Sequence, residues 1–377
     1  MFKTTLHSQH KETPKIQIPR AGIALLGAGI FALQGNKTEH LPAIEASPAL
    51  SLKAVYSRSQ QSAQALAAAS TDPSAVAVYF DLPAVAGQSL DDLLRRDDIV
   101  AVDIALPIVH QPAVVEKALM AGKHVLSEKP VAADMERAET LLAWYAGLGA
   151  AGRPLWAVAE NFRFMESLRY ATAQVHEIGG ALVTFRLQKY GFIRSDNKYF
   201  NTEWRKNPQY QGGFLLDGGV HFIAGLRVLL AAAGQDIEQI AAFTGLLDAR
   251  LIPVDTIHAV ARTRDGKSGT IAISFGTEFK DDRLEVEVAT TNGAVLWRPT
   301  DVTTVARSGD GKAETKREFA WDSGVKAEVA AFAHAIEAGE VDARQTPSEA
   351  LKDLEILQLL LESGASGAAV KAIGATR

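Results

Sequence analysis

Residues 20–32 read RAGIALLGAGIFA, and the fold is argued from them. The apolar run ends in glycine, which suits a strand buried on both faces of a parallel sheet. Gly27-Ala28-Gly29-Ile30-Phe31-Ala32 then fits G-x-G-x-x-A where a first strand meets a first helix. Gly27 permits the tight turn, and Gly29 lets backbone approach a pyrophosphate. The helix N-terminus offers free N–H groups to the phosphates. On this reading Gly27, Gly29, Ile30 and Phe31 contact a dinucleotide. Gly-Ala-Gly also occurs in ordinary turns, so the weight rests on what surrounds it.

What surrounds it is alternation. Strand-like runs at 51–57, 78–80, 99–106 and 124–127 are separated by helical stretches at 42–47, 60–69, 90–96, 112–121 and 134–145. Ser89 stands as N-cap of the third of these, and Gly122 closes the fourth. Strands alternating with helices at this spacing predict βαβ units and a doubly wound α/β sheet, a Rossmann domain.

The rhythm changes near residue 150. A short strand at 157–160 leads into a mostly helical 161–178. Runs of β character follow at 181–190, 237–246, 256–264, 269–279, 283–291 and 294–298. Asp265-Gly266 and Asn292-Gly293 mark hairpin turns between some of them. The expectation is an α+β domain with a large, mostly antiparallel open sheet, covered on one face by helices at 161–178 and 213–230. Helices return at 325–338 and 348–363. The expected organisation is a disordered tail over 1–18, a dinucleotide-binding domain over 19–150, a substrate and oligomerisation domain over 151–345, and a C-terminal helix over 346–377 packing back on the first domain. The open sheet leaves a face to bury, which predicts a homodimer or tetramer.

The second strand distinguishes between dinucleotides. NAD(H) enzymes usually end it with an acid that accepts from the ribose 2′-OH. Here it ends Val55-Tyr56-Ser57-Arg58, and an arginine there can hold a 2′-phosphate, with Ser57 adding a hydroxyl. NADP(H) is therefore expected over NAD(H).

Composition removes several alternatives. With 39 basic and 44 acidic side chains the net charge is −5, which argues against a general nucleic-acid binder. The absence of cysteine excludes disulfides, thiolate metal sites and a cysteine nucleophile, and fits a reducing compartment. A cytoplasmic location is expected, with a short mitochondrial presequence left open by the polar, mildly basic first twenty residues. The absence of a continuous apolar run of about 18 residues predicts no membrane span. No His, Asp and Glu cluster has metal-ligand spacing, so no metal is expected.

Three further segments carry chemistry. Leu106-Pro107-Ile108-Val109-His110 follows the fourth strand, and Ser127-Glu128-Lys129-Pro130 the fifth. Gly212-Gly213-Phe214-Leu215-Leu216-Asp217-Gly218-Gly219-Val220-His221 lies in the second half. In this order they resemble the glucose–fructose oxidoreductase / inositol dehydrogenase / MocA family, from about Ala21 to Val370. The resemblance implies a Rossmann domain plus a C-terminal open-sheet domain, an active site between them, and oxidation or reduction of sugars, polyols, dihydrodiols or related carbonyl compounds. It implies that Lys129 is the active-site lysine, with Asp217 and His221 as the aspartate–histidine pair. Trp204-Arg205, in NKYFNTEWR, then corresponds to a Trp-Arg pair near the nicotinamide. Leu106, Pro107, His110, Glu128 and Lys129 fall on the cofactor side, and Lys129, Asn161, Tyr199, Asp217 and His221 on the substrate side. For His110 two readings stay open, ribose contact or a helix cap. Ala224 departs from the pattern, since many relatives carry Asp there, and this weakens any transfer of a specific substrate. The chain looks closer to fungal-type NADP(H) members.

Asp217 and His221 are four apart, so on a helix they share a face, where Asp217 could orient the imidazole. His221 or Lys129 would move the hydroxyl proton that accompanies hydride transfer. A dinucleotide-binding regulator without turnover is the alternative on the same fold. Keeping Lys129, Asp217 and His221 together favours the enzyme.

Overall fold

The computed structural model describes residues 20–29, 32, 39–150, 152–278, 282–309 and 311–374. The expected tail over 1–18 and the contacts expected of Ile30 and Phe31 lie outside the described residues.

The first sheet comprises β1 (Ala21–Leu26), β2 (Leu50–Ser59), β3 (Ala77–Leu82), β4 (Ala101–Ile104), β5 (His124–Glu128) and β6 (Trp156–Ala159), all parallel, in the order β3-β2-β1-β4-β5-β6. This is the doubly wound order, with the strand order reversing between β1 and β4. Helices α1 (His40–Ala46), α2 (Gln60–Ala68), α3 (Leu90–Leu94), α4 (Gln111–Met120) and α5 (Met135–Gly147) alternate with the strands. The opening apolar run does not alternate with polar residues because both sides of β1 are covered. Ile23 and Leu25 pack with Leu41, Ile44 and Leu66, while Ala24 and Leu26 belong to the core that holds Leu93, Val115 and Ala118. Ser89 caps α3 in a reciprocal box with Asp92, as its position predicts.

The second sheet holds β7 (Leu182–Tyr190), β8 (Ile237–Gly245), β9 (Thr256–Thr263), β10 (Ser268–Ser274), β11 (Arg283–Thr290), β12 (Gly293–Arg298), β13 (Asp301–Ser308), β14 (Gly311–Glu318) and β15 (Lys371–Ala372). Its order is β14-β13-β12-β11-β7-β10-β9-β8-β15, antiparallel except where β7 meets β10. The fold class is the one expected. Helices α6 (Glu166–Ile178), α7 (Glu203–Lys206), α8 (Gly213–Ala232), α9 (Val325–Ala338) and α10 (Pro347–Ala365) complete the chain. Helix α6 packs on β12 and β13, α8 on β7 and β11, and α10 on β8 and β9, all against one face. On the other face Val183, Phe243 and Val260 stand exposed beside Arg186 and Glu287, which pair at 3.2 Å.

Two expectations need correction. The strand expected at 157–160, assigned to the second half, is β6, an edge of the first sheet. That sheet runs through Ala159, past the expected boundary at 150. Four buried residues carry no periodicity from which the pairing partner could be read. Helix α10 does not chiefly return to the first domain. It lies on β8 and α8, reaching the first domain at α5 and β6, while α9 packs on α1 and inserts Val325, Val329 and Phe332 into the core around β1. Helix α8 is long and apolar enough by composition to cross a membrane, but 78% of its most apolar 18-residue window is buried inside the fold. Its glycines and the buried Asp217 and Arg227 interrupt the run that a simple scan seeks.

Candidate active site

The dinucleotide side is built by the ends of β1, β2 and β4. Gly27 has φ +117°, and a Cβ there would lie 2.2 Å from the Ala105 carbonyl oxygen, so only glycine fits the turn. A Cβ on Gly29 would meet nothing closer than 3.9 Å, which leaves its outer side open to a ligand. At the end of β2, Ser57 is half-buried and Arg58 exposed, and among the described residues Arg58 makes no ion pair. After β4, Leu106 and Pro107 lead into a 3-10 turn (Ile108–His110). His110 occupies the N-cap position of α4 but makes no side-chain cap bond, so the capping alternative is not realised.

Glu128, expected to contact cofactor, turns inward instead. Its Oε1 meets His40 Nε2 at 2.8 Å and its Oε2 accepts from the Lys129 backbone N–H at 3.1 Å. His40 Nδ1 meets Asp103 Oδ2 at 2.7 Å. The histidine is fully buried. Burial opposes its charge, but Asp103 and then Glu128 outweigh that, holding its titration well above the usual imidazole range. An imidazolium thus clasps the carboxyl ends of β4 and β5 directly before Lys129.

Lys129 and Asp217 meet across the two halves. Lys129 Nζ donates to the Asp217 carbonyl oxygen at 2.8 Å and to Oδ1 at 3.0 Å, and Arg205 Nε donates to Oδ2 at 2.7 Å. Burial would raise the Asp217 carboxyl, but the charges of Lys129 and Arg205 override it and hold it far below the usual carboxylate range. The Trp-Arg pair therefore braces Asp217: the Arg205 guanidinium lies 3.9 Å from the Trp204 ring centroid, and Trp204 packs against Tyr210.

His221 sits one turn along α8, on the shared face that the spacing predicts, but its partner is not Asp217. Both Asp217 oxygens are taken by cations. His221 Nδ1 instead meets Glu160 Oε1 at 2.7 Å, and its ring stacks on Phe162 at 4.7 Å. Glu160 follows β6 and is buried. Burial would raise its carboxyl, but His221 first, then Arg163 and Lys129, lower it. An ionised carboxylate only accepts, so Nδ1 carries the hydrogen and, in the neutral ring, Nε2 is the accepting nitrogen. Sequence reasoning missed Glu160 and Phe162. Their one signal is position, at the carboxyl end of a Rossmann strand.

Asn161 and Tyr199 are the other two residues expected on the substrate side. The Asn161 amide nitrogen donates to the Ser323 carbonyl at 2.6 Å, which makes it a brace between the turn after β6 and the start of α9. Tyr199 lies in the segment before α7, with Lys198 Nζ 4.8 Å from its ring centroid. Among the described residues, no group of three or more His, Asp or Glu side chains could hold a metal ion.

Comparison with known proteins matches most of the chain. The model of an oxidoreductase family with an NAD-binding Rossmann fold matches residues 21–151, and that of the family's C-terminal alpha/beta domain matches residues 176–372. Dehydrogenase FPY6 of Fusarium mangiferae is 53% identical over 353 residues, covering 93% of this chain and 99% of that protein. D-xylose 1-dehydrogenase (NADP(+)) 2 of Haloferax volcanii is 28% identical, covering 82% of this chain and 92% of that one. The crystal structure of an oxidoreductase from Thermotoga maritima superposes with a TM-score of 0.79 at 27% identity, covering 94% of this chain and 99% of its own.

Proposed function

The chain belongs to the glucose–fructose oxidoreductase / inositol dehydrogenase / MocA family of oxidoreductases, and from that premise we propose that it is an NADP(H)-dependent dehydrogenase or reductase acting on a small hydroxyl or carbonyl compound of sugar, polyol, dihydrodiol or aldehyde type. One observation carries the reading. Two proton-bearing side chains at the meeting of the halves are each held by a separate ionised carboxylate, Lys129 by Asp217 and His221 by Glu160.

When bound, NADP(H) would supply or accept the hydride. The open side of Gly29 suits its pyrophosphate, and Ser57 and Arg58 its 2′-phosphate. The ammonium of Lys129 has three hydrogens, two of which Asp217 takes, so one remains for the substrate oxygen. With Nδ1–H fixed on Glu160, His221 Nε2 removes the hydroxyl proton in oxidation and, once protonated, returns it in reduction. Asp217 remains ionised throughout and keeps Lys129 and Arg205 in place.

The cofactor preference is tested at Arg58. Arg58→Ala removes one charge-assisted contact, worth about 1.5–3 kcal/mol, so NADP(H) affinity falls roughly 10- to 150-fold. NAD(H) affinity stays level. Fluorescence titration of both cofactors against both proteins measures this, and equal affinities in the unsubstituted protein would overturn the preference.

The uncovered face of the second sheet is the proposed self-association surface, giving a homodimer or tetramer. Phe243 on β8 is 69% exposed there, with Val260 exposed on the neighbouring β9 and Val183 exposed on β7 of the same sheet. Light scattering at micromolar concentration is expected to give a multiple of 40.4 kDa. A monomer mass would show that the face stays in water.

A further inference from the structure

Three neighbouring strands of the first sheet deliver a carboxylate to the same end. Asp103 lies on β4, Glu128 ends β5, and Glu160 follows β6. All are buried. His40 spans the first two, and His221 takes Oε1 of the third. Helix α9, packed on α1 and on the turn after β6, brings a fourth acid, Glu328, in its first turn. Glu328 has no accessible surface, and among the described residues neither of its oxygens has a hydrogen-bond partner. Glu160 Oε2 and Asp103 Oδ1 also lack one.

The charged surroundings fix what Glu328 can be. It lies within electrostatic reach of Glu128 at the end of β5, His40 on α1, Glu160 after β6 and Asp103 on β4. Glu160 in turn feels His221, Arg163 and Lys129, and Arg163 is committed to Asp353. The cation nearest this layer, His40, is already shared by two carboxylates. A further buried negative charge would have no partner of its own, a cost that a carboxyl avoids by keeping its proton. Burial, and then the charge of Glu128, push Glu328 well above the usual carboxylate range. A neutral carboxyl has an O–H to donate, whereas the open oxygen of ionised Glu160 can only accept. The two are complementary, directly or across one water.

We infer that Glu328 is a positioning residue for His221, acting through Glu160: its carboxyl hydrogen bonds the open oxygen of Glu160 and weakens that carboxylate's pull on the imidazole proton. The functional meaning rests on the proposed role of His221 as the acid–base group. The coupling itself can be measured without a substrate.

The measurement is an NMR titration of the His221 ring signals in the full chain, identified by their loss in His221→Asn. Glu328→Gln keeps a neutral donor, and its midpoint stays at the wild-type value. Glu328→Leu removes the donor without changing charge. The Glu160–His221 pair then holds its second proton about tenfold more tightly, and the midpoint rises by about one pH unit. Were Glu328 ionised, both substitutions would remove a negative charge and lower the midpoint together. Were it uncoupled, neither would move it. Either result overturns the inference. Should Glu328→Leu fail to fold, infrared difference spectroscopy of wild type against Glu328→Gln decides. The carbonyl stretch of a protonated carboxyl is expected in the wild type and lost in the variant, and its absence from the wild type overturns the inference. Normal turnover by His221→Ala would remove the activity reading and leave this coupling standing, so the two failures are separable.

Discussion

His221→Ala is expected to lower turnover by about 10²–10⁴-fold, the range for loss of a positioned acid–base group. NADP(H) affinity should stay level, because the imidazole is held by Glu160 and Phe162 and not at the glycine turn. Lys129→Ala should be comparably slow. If the two act on one oxygen, the double variant should be little worse than either single one, since groups working as a unit are not additive. The comparison needs one accepted substrate, found by screening aldoses, polyols and aldehydes through the absorbance of the reduced cofactor. Near-normal turnover by His221→Ala would leave Lys129 as the proton carrier.

Asp217→Ala is expected to cost about 3–5 kcal/mol of stability, because Lys129 and Arg205 would then face each other across a buried site with no anion between them. Urea unfolding of the two proteins measures the loss, and a difference below about 1 kcal/mol, the range of an exposed pair, would show that the clamp is weak. The pH dependence has a definite sign. The Asp217 carboxyl is depressed in the folded state, so its contribution is fully present above the unfolded value and disappears only as pH falls through the folded one. Between neutral and mildly acidic pH this clamp should not respond. Asp217→Asn keeps the shape but also removes the anion between Lys129 and Arg205, so it should share much of that stability loss and also change the pH profile of turnover.

The parts of this molecule legible in its sequence are those fixed by short-range chemistry. The G-x-G-x-x-A turn and the alternation of strands and helices each follow from neighbours in the chain, whereas Lys129, Asp217 and His221 are singled out by the family resemblance. The pairing inside the site does not. Helical spacing put Asp217 and His221 on one face, but it gave no warning that Lys129 and Arg205 would occupy both oxygens of Asp217, or that Glu160 would arrive from β6 to take the imidazole. Glu128 shows the same limit. Its place beside Lys129 suggested the cofactor, while tertiary packing of α1 turned it onto His40. Strand β14 was missed for a different reason: as an exposed edge strand, GKAETKRE has no buried face to create an apolar period. Strand β13, whose Val302 and Thr304 are buried, does alternate, but without its hairpin partner the signal reads as a loop.

Helix α8 has a consequence for the order in which the chain can be made. It carries Asp217 and His221, yet much of its covering comes from segments translated later, β11 and above all α10. About 130 residues separate the end of α8 from the end of α10, so at ordinary synthesis rates the helix waits on the order of ten seconds for its last neighbour. During that interval a growing chain displays an apolar helix of membrane-spanning length. The Rossmann half, whose strands all precede α8, can assemble meanwhile, although α9 must still arrive to cover it. Helix α8 is thus an apolar segment that a growing chain leaves partly uncovered until α10 is made.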